Sequence, residues 1–417
     1  MEQIKIGIVG LGQFSPQFID LFQAHPLISD VYVCDVHEDR VDRVVRRFGI
    51  DRAFSSYDEL LDSDIDAVAI FTQRWLHGPM SIKALSRGKH VYSAVPMGVS
   101  VEEIQQIIEL VSSTGLTYMT GETSYYYPAV VFCRNAWQQG RFGHFVFGEG
   151  EYIHDMSQGF YDAYKFSGGA DWKRTASIPP MFYPTHSIAN VLAVTGSYAT
   201  SVSCVGFADR EDDGVFNAEA SLWGNTFSNE SALFATADGG SMRINEFRRI
   251  GVPNERPEVR MSLFGTRGSF EQQTGSAVWQ DLDGFHSVFD QITTSSGAPG
   301  HYVDEDGDEE DADDAALADA GVAEALRGTF RSGFAPVHDS ERGMLPPEFD
   351  GMHNGHEGSH QFLVNDFATA CATNVIPNLN AWNSARWIIP GLMAHESALA
   401  GGVRLDIPDF GAAPTQR

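Results

Sequence analysis

The first thirty-five residues constrain the fold most. Ile4-Lys-Ile-Gly-Ile-Val-Gly10-Leu-Gly12-Gln13-Phe14-Ser15 is an apolar run entering a glycine turn. A helix-like stretch follows, and a second apolar run over 31–34 ends in one acid, Asp35. That pattern predicts a βαβ unit that cradles a dinucleotide. Gly10 permits the tight turn, Gly12 lets the backbone approach a diphosphate, and the helix start beyond Gln13 and Phe14 offers N–H groups to its charge. Ser15 takes the place of the third glycine and is small enough for close helix–strand packing. Asp35 stands where a carboxylate accepts ribose hydroxyls. The competing reading is a glycine turn in an unrelated α/β domain.

The alternation continues. Apolar strands at 4–9, 31–34, 67–71, 91–93 and 116–120 alternate with helices at 15–24, 38–48, 79–86 and 101–113, the last capped by Ser100. This spacing predicts a doubly wound parallel sheet of the Rossmann kind over 1–122. Beyond that point short runs at 145–153, 199–205, 218–222, 231–235, 240–245, 258–264 and 268–272 predict an open, mostly antiparallel sheet. Helices are expected at 129–139, 187–194, 360–372 and 381–399, the last interrupted near Pro390. The fold class is therefore α/β in two domains, 1–122 and 123–417. A polar, acidic insertion over 302–343 is expected to be largely mobile surface.

Charge narrows the function. The formal net charge is -28, and Lys5, Lys83, Lys89, Lys165 and Lys173 are the only lysines. Such an acid excess repels nucleic acid and anionic membranes. It suits a halophilic protein, hydrated in salt that screens its self-repulsion. A mesophilic chain with one acidic loop is the alternative, yet without 304–319 the chain is still clearly acidic. Cys34, Cys133, Cys204 and Cys371 form no Cys-x-x-Cys pair, which argues for reduced thiols and against a cysteine metal site. No apolar run is long enough to span a membrane and no leader is visible, so a cytoplasmic location is expected. An open sheet face favours a homo-oligomer, a dimer or tetramer.

At this point the chain resembles the Gfo/Idh/MocA oxidoreductases, the glucose–fructose oxidoreductase and inositol dehydrogenase family. The opening Ile6-Gly-Ile-Val-Gly-Leu-Gly12, the loop Phe71-Thr72-Gln-Arg-Trp-Leu-His77, and the segment Gly88-Lys-His-Val-Tyr-Ser-Ala94-Val95-Pro96 carry the likeness. Gly140-Arg-Phe-Gly143 and the stretch 384–405 extend it over nearly the whole length. The resemblance implies NAD(P)-linked chemistry on a sugar or polyol. It places Thr72 and His77 on the adenosine side and Ala94 and Pro96 beside the nicotinamide. Two departures stand out. Ala94-Val95-Pro96 replaces the family's Glu-Lys-Pro, so its proton-moving lysine is a valine. Phe182-Tyr183-Pro184-Thr185-His186 keeps the histidine of Asp-x-x-x-His and loses the aspartate.

The remaining chemistry falls to other side chains. His186 is the first candidate for general base, since imidazole titrates near neutrality; the alternative is a histidine that only orients substrate. Tyr183, three residues earlier, either donates to the same oxygen or packs. Lys173 and Arg174 either hold a substrate hydroxyl or carboxylate or are solvated. Tyr126 either stacks on a sugar ring or belongs to the core. Met352-His353-Asn-Gly-His356-Glu357-Gly-Ser-His360 contains His-Glu-x-x-His, the spacing of a helical zinc site, but its glycines oppose a regular helix. His356 and His360 are therefore read as sugar-binding residues, with a divalent metal held by His353, His356, His360 and His186 as the second option. Asp35 repels a 2′-phosphate and favours NAD, while His37 and Arg40 leave NADP open. The function expected is NAD(P)-dependent oxidation at a CH–OH group of a sugar, polyol or derivative. The alternatives are an NAD-assisted, redox-neutral lyase or glycosidase, and a non-catalytic sugar or NAD sensor.

Overall fold

The computed structural model describes residues 3–156, 160–252, 259–294, 333–352 and 354–415. β1 (Ile4–Val9), β2 (Ile28–Cys34), β3 (Ala53–Phe54), β4 (Ala67–Ile70), β5 (His90–Ser93) and β6 (Tyr118–Thr120) form one sheet in the order β3-β2-β1-β4-β5-β6. Every pairing in it is parallel. Ala67–Ile70 is buried throughout, as expected of a strand covered on both faces. The helix Glu38–Phe48 has the expected bounds because its arginines mark a solvent face and Gly49, at φ 62°, stops it. Ser100 caps the helix Val101–Thr114 by accepting from the Glu103 N–H at 3.2 Å. β3 and the helix Tyr57–Asp62 were too short to read from the sequence. Strand order reverses between β1 and β4, so the crevice at the carboxyl ends of these strands is the place for a ligand.

The second sheet contains β7 (Phe145–Ile153), β8 (Ala199–Ala208), β9 (Phe227–Thr236), β10 (Ser241–Phe247), β11 (Val259–Gly265), β12 (Gly268–Gln273), β13 (Ser276–Asp281), β14 (Gly284–Ser287) and β15 (Leu405–Asp406). Its order is β14-β13-β12-β11-β7-β10-β9-β8-β15, antiparallel except where β7 meets β10. The strand expected at 218–222 is instead a turn, closed by the Ala220 and Ser221 N–H groups on the Asn217 carbonyl at 3.1 and 2.8 Å. The helix Thr185–Thr195 lies directly on β7. A Cβ at Gly150 would come within 2.0 Å of the Ser187 carbonyl oxygen, so only glycine admits the helix at that depth. The opposite sheet face exposes Val205 and Leu233.

The end of the chain returns to the first sheet. The helix Ala381–Leu399 runs unbroken through Pro390, contrary to the interruption expected there. Its Ile388, Ile389 and Leu392 share a core with Ile104 and Ile107 of the first domain. The Thr120 N–H bonds to the Leu379 carbonyl at 3.0 Å, tying β6 to the same segment.

Of the acidic insertion, 302–332 lies outside the described residues; of the rest, Gly333, Ala335 and His338 are buried, while Pro336, Asp339, Ser340, Arg342 and Gly343 are exposed surface. His338 is fully buried, accepts the Ala335 N–H on Nδ1 at 3.1 Å and donates from Nε2 to the Tyr126 carbonyl at 2.8 Å. Burial, reinforced by Arg134 and Arg342, pushes its pKa down to about 4. The unfolded chain binds this proton near pH 6.5 and the folded chain does not, so its contribution to stability is lost as pH falls from 6.5 toward 4. Thermal unfolding of His338→Asn should therefore depend less on pH across that window than unfolding of the parent. Parallel pH profiles would contradict this.

Candidate functional site

The glycine turn after β1 has the shape a diphosphate needs. Gly10 sits at φ 90°, and a Cβ there would meet the Phe71 backbone at 2.7 Å. A Cβ at Gly12 would meet nothing within 4 Å, so this side of the loop is open to a ligand. The helix Pro16–Ala24 has no side-chain cap and no acid in its first turn. Its N-terminus thus stays available to an anion. Asp35, just past β2, is buried and accepts the Leu11 N–H at 2.7 Å and the His37 N–H at 2.9 Å, one on each oxygen. A carboxylate retains further acceptor positions for ribose hydroxyls. Arg40 is occupied elsewhere: it donates to the Phe166 carbonyl at 2.9 Å and covers that ring. These features fit NAD.

Gln13 is exposed on the open loop, and Phe14 is half-buried between Phe71 and His356. Thr72 and Ala94 follow β4 and β5, at the carboxyl edge with Gly10, and the Val95–Pro96 peptide beside them is cis. His77 corrects the sequence reading. It is 1% exposed, with Nδ1 2.9 Å from the Pro96 carbonyl and Nε2 2.9 Å from the Thr72 carbonyl. Its ring is closed off from a nucleotide and instead ties the β4 and β5 loops together. Burial outweighs these carbonyls and pushes its pKa to about 4; the neutral ring donates to one of the two carbonyls and only packs against the other.

His186 and Tyr183 meet, as two residues three apart at a helix start should. The Tyr183 hydroxyl lies 3.3 Å from His186 Nε2. Nδ1 lies 2.5 Å from Glu122 Oε1, a partner that sequence reasoning missed. Glu122 follows β6, is fully buried, and accepts from the Ser124 N–H at 2.9 Å and hydroxyl at 2.7 Å. Burial acts to raise this carboxyl, but the His186 charge and hydrogen bond outweigh it and hold it below the usual glutamate range. An ionised Glu122 accepts the Nδ1 proton and leaves Nε2 as the basic nitrogen facing Tyr183. The Met181–Pro184 turn before them is pressed into place by the last helix. A Cβ at Gly391 would lie 2.3 Å from Pro184, and buried Glu230 accepts the Met181 N–H at 2.8 Å while holding His395 at 2.8 Å.

Around this relay the site is aromatic and cationic. The Tyr152 ring is 5.1 Å from His186 and 5.8 Å from Tyr183. Its hydroxyl is 2.7 Å from His154 Nδ1. Burial, then Arg248 and Arg74, hold His154 well below the usual histidine range. Arg74, on the turn after β4, reaches across to the second domain. Its guanidinium donates to the Tyr164 hydroxyl and lies 4.4 Å over the Tyr183 ring. Burial pushes the Tyr183 hydroxyl up to about 12 against the pull of Arg74.

Among the other expected substrate residues, His356 lies near enough for its charge to act on His154, whereas Lys173, Arg174, Tyr126 and His360 are placed differently. Lys173 and Arg174 are exposed, and Lys173 donates to the Asp213 carbonyl at 2.6 Å. Tyr126 is core: it stacks on Phe362 at 4.8 Å and donates to Asp366. His360 is fully buried with its ring 4.2 Å from Phe18. The metal set is not formed among the described residues. His356 and Glu357 hold positive φ, so no helical His-Glu-x-x-His face exists. His356 Nδ1 is 2.8 Å from His360 Nε2, a direct bond where two ligands would instead each face an ion at about 2.0–2.1 Å. His353 lies outside the described residues.

The comparisons bear on the fold. Residues 4–122 match the GFO_IDH_MocA family, described as an oxidoreductase family with an NAD-binding Rossmann fold. The chain is 23% identical to a glycosyl hydrolase family 109 protein of Saccharopolyspora erythraea, over 98% of this chain and 83% of that one. It is 30% identical to an alpha-N-acetylgalactosaminidase of Shewanella oneidensis, over 46% of this chain and 44% of that one. Levoglucosan dehydrogenase in complex with NADH and L-sorbose shares the fold with a TM-score of 0.70, at 18% identity over 98% of this chain and all 100% of that one. An oxidoreductase domain protein from Kribbella flavida does so with a TM-score of 0.69, at 16% identity over 98% and 100% of the two chains.

Proposed function

We propose, from the premise that the N-terminal domain is that of a Gfo/Idh/MocA oxidoreductase, that this chain is an enzyme acting at a CH–OH group of a sugar derivative to cleave a glycosidic bond without net oxidation. The observation that carries the proposal is the Glu122–His186–Tyr183 relay with the Tyr152–His154 pair beside it, in a chain that has Val95 where the resembled family has a lysine. Gly10–Ser15 would hold the diphosphate of NAD and Asp35 its ribose, with the nicotinamide near Ala94–Pro96. When bound, NAD supplies reversible oxidation of a ring carbon to a ketone.

The chain's own groups handle the protons. His186 Nε2 takes the hydroxyl proton, directly or through Tyr183, and Glu122 stabilises the resulting imidazolium. A carbon beside a ketone is acidic, and removing its proton expels the substituent one carbon further on, which leaves as the alcohol on gaining a proton; addition of water across the resulting double bond and return of the hydride to the ketone would then give the free sugar. The Tyr152 hydroxyl, 2.7 Å from His154 Nδ1 and with its ring 5.1 Å from His186, is the group placed for that second transfer. A plain dehydrogenase needs one such pair, whereas cleavage by elimination needs two. The relatives named as family 109 glycosyl hydrolases span nearly the whole chain, which also favours cleavage. The dehydrogenase structures share the fold alone.

The test is incubation of the purified enzyme, without added cofactor, with a panel of 4-nitrophenyl glycosides headed by the α-N-acetylgalactosaminide, in deuterated water. Release of nitrophenol with deuterium at the carbon next to the anomeric centre is expected. No cleavage, together with accumulation of reduced cofactor in a parallel incubation with added NAD and free sugars, would establish a dehydrogenase instead.

A further inference from the structure

Arg74 is held by aromatic side chains. It is half-buried, donates to the Tyr164 hydroxyl, and lies over the rings of Tyr183 at 4.4 Å and Tyr164 at 5.3 Å. Among the described residues no carboxylate forms an ion pair with it. Nearby arginines differ: Arg248 pairs with Glu246 at 2.8 Å, Arg260 with Glu151 at 2.6 Å, and Arg249 with Asp209 and Asp213. Arg40 likewise has a carbonyl and a ring as partners, but Arg74 lies over Tyr183, the partner of His186.

We propose that the sugar derivative carries an anionic group, a carboxylate or a sulfate ester, which seats on Arg74. A half-buried cation without a counter-charge is partly desolvated, and a ligand anion offsets that cost. The planar guanidinium matches two oxygens of either group, and its stacking on tyrosines fixes it in advance. The diphosphate is a poor alternative occupant. Its cradle lies at Gly10–Ser15, whereas the Arg74 side chain runs toward Tyr164 and Tyr183, on the His186 side. A net charge of -28 opposes any anionic ligand at long range, so a local cation is what such a substrate requires. The inference rests on the sugar-processing reading of the same pocket and names its substrate class.

Binding separates the two claims because it needs no turnover. The enzyme saturated with NADH is titrated calorimetrically with galactose, galacturonate and galactose 6-sulfate. At least one acidic sugar should bind roughly 10- to 100-fold more tightly than galactose, the range of a hydrogen bond to a charged group. The better of the two identifies the anion. Arg74→Gln should erase that preference and Arg74→Lys should keep part of it. Equal affinity for neutral and acidic sugars, or a preference that survives Arg74→Gln, would overturn the inference. So would an Arg74→Gln variant that loses NADH instead of the acidic sugar. A preference lost in Arg74→Gln without glycoside cleavage would sink the proposed reaction and sustain the anion site. Cleavage with no preference would do the reverse.

Discussion

Replacing His186 by alanine is expected to lower kcat by about 10²- to 10⁴-fold, the span removed with a positioned acid–base group. The ring has one nitrogen on Glu122 and the other on the Tyr183 hydroxyl, inside a pocket where it is buried. The position at which the resembled family has a lysine is Val95, and His154 is already engaged by the Tyr152 hydroxyl. The loss should appear in kcat more than in KM, because the proton moves in the transition state. Affinity for NADH should change little, since the glycine turn and Asp35 lie on the first domain. Steady-state kinetics beside an NADH titration check both parts. A sensor would show the opposite, weaker sugar binding and no rate to lose.

Glu122→Gln is expected to be nearly as damaging while leaving the fold in place. The amide keeps the shape and one acceptor but loses the charge that favours imidazolium. It also offers an N–H that turns the ring to the other tautomer. A loss of roughly 10²- to 10⁴-fold follows, by analogy with the carboxylate of a serine-protease triad. Glu122→Ala goes further. It leaves buried His186 Nδ1, the Ser124 N–H and the Ser124 hydroxyl without their shared acceptor, and should cost stability of about 3–5 kcal/mol as well. Comparing thermal unfolding of the two variants separates the electrostatic loss from the structural one. Equal rates in Glu122→Gln and the parent would mean that Glu122 only fills space.

The parallel sheet was readable because its signals are local. Glu38–Phe48 carries its own arginine face and glycine stop, and Gly10 and Asp35 lie at fixed offsets from apolar strands. The second sheet was less so. Ser276–Asp281 and Gly284–Ser287 have mixed polarity, and their pairing in one hairpin, not their composition, makes them strands. The apolar residues over 218–222 had strand-like composition but find no partner strand. The site divides similarly. Tyr183 and His186 are three residues apart and were found together. Glu122 lies 64 residues from His186, and Arg74 lies 90 from Tyr164, so both contacts exist only after the domains meet. Tyr126 misled because a buried tyrosine stacked on Phe362 and one awaiting a sugar look alike in sequence.

A crystal structure of the chain with NADH and an uncleaved sugar tests the arrangement most directly. The ring carbon facing the nicotinamide should carry an oxygen about 2.6–3.2 Å from His186 Nε2 or the Tyr183 hydroxyl. A nicotinamide lodged away from Ala94–Pro96, or a sugar held at Lys173 and Arg174 with His186 out of reach, would contradict it.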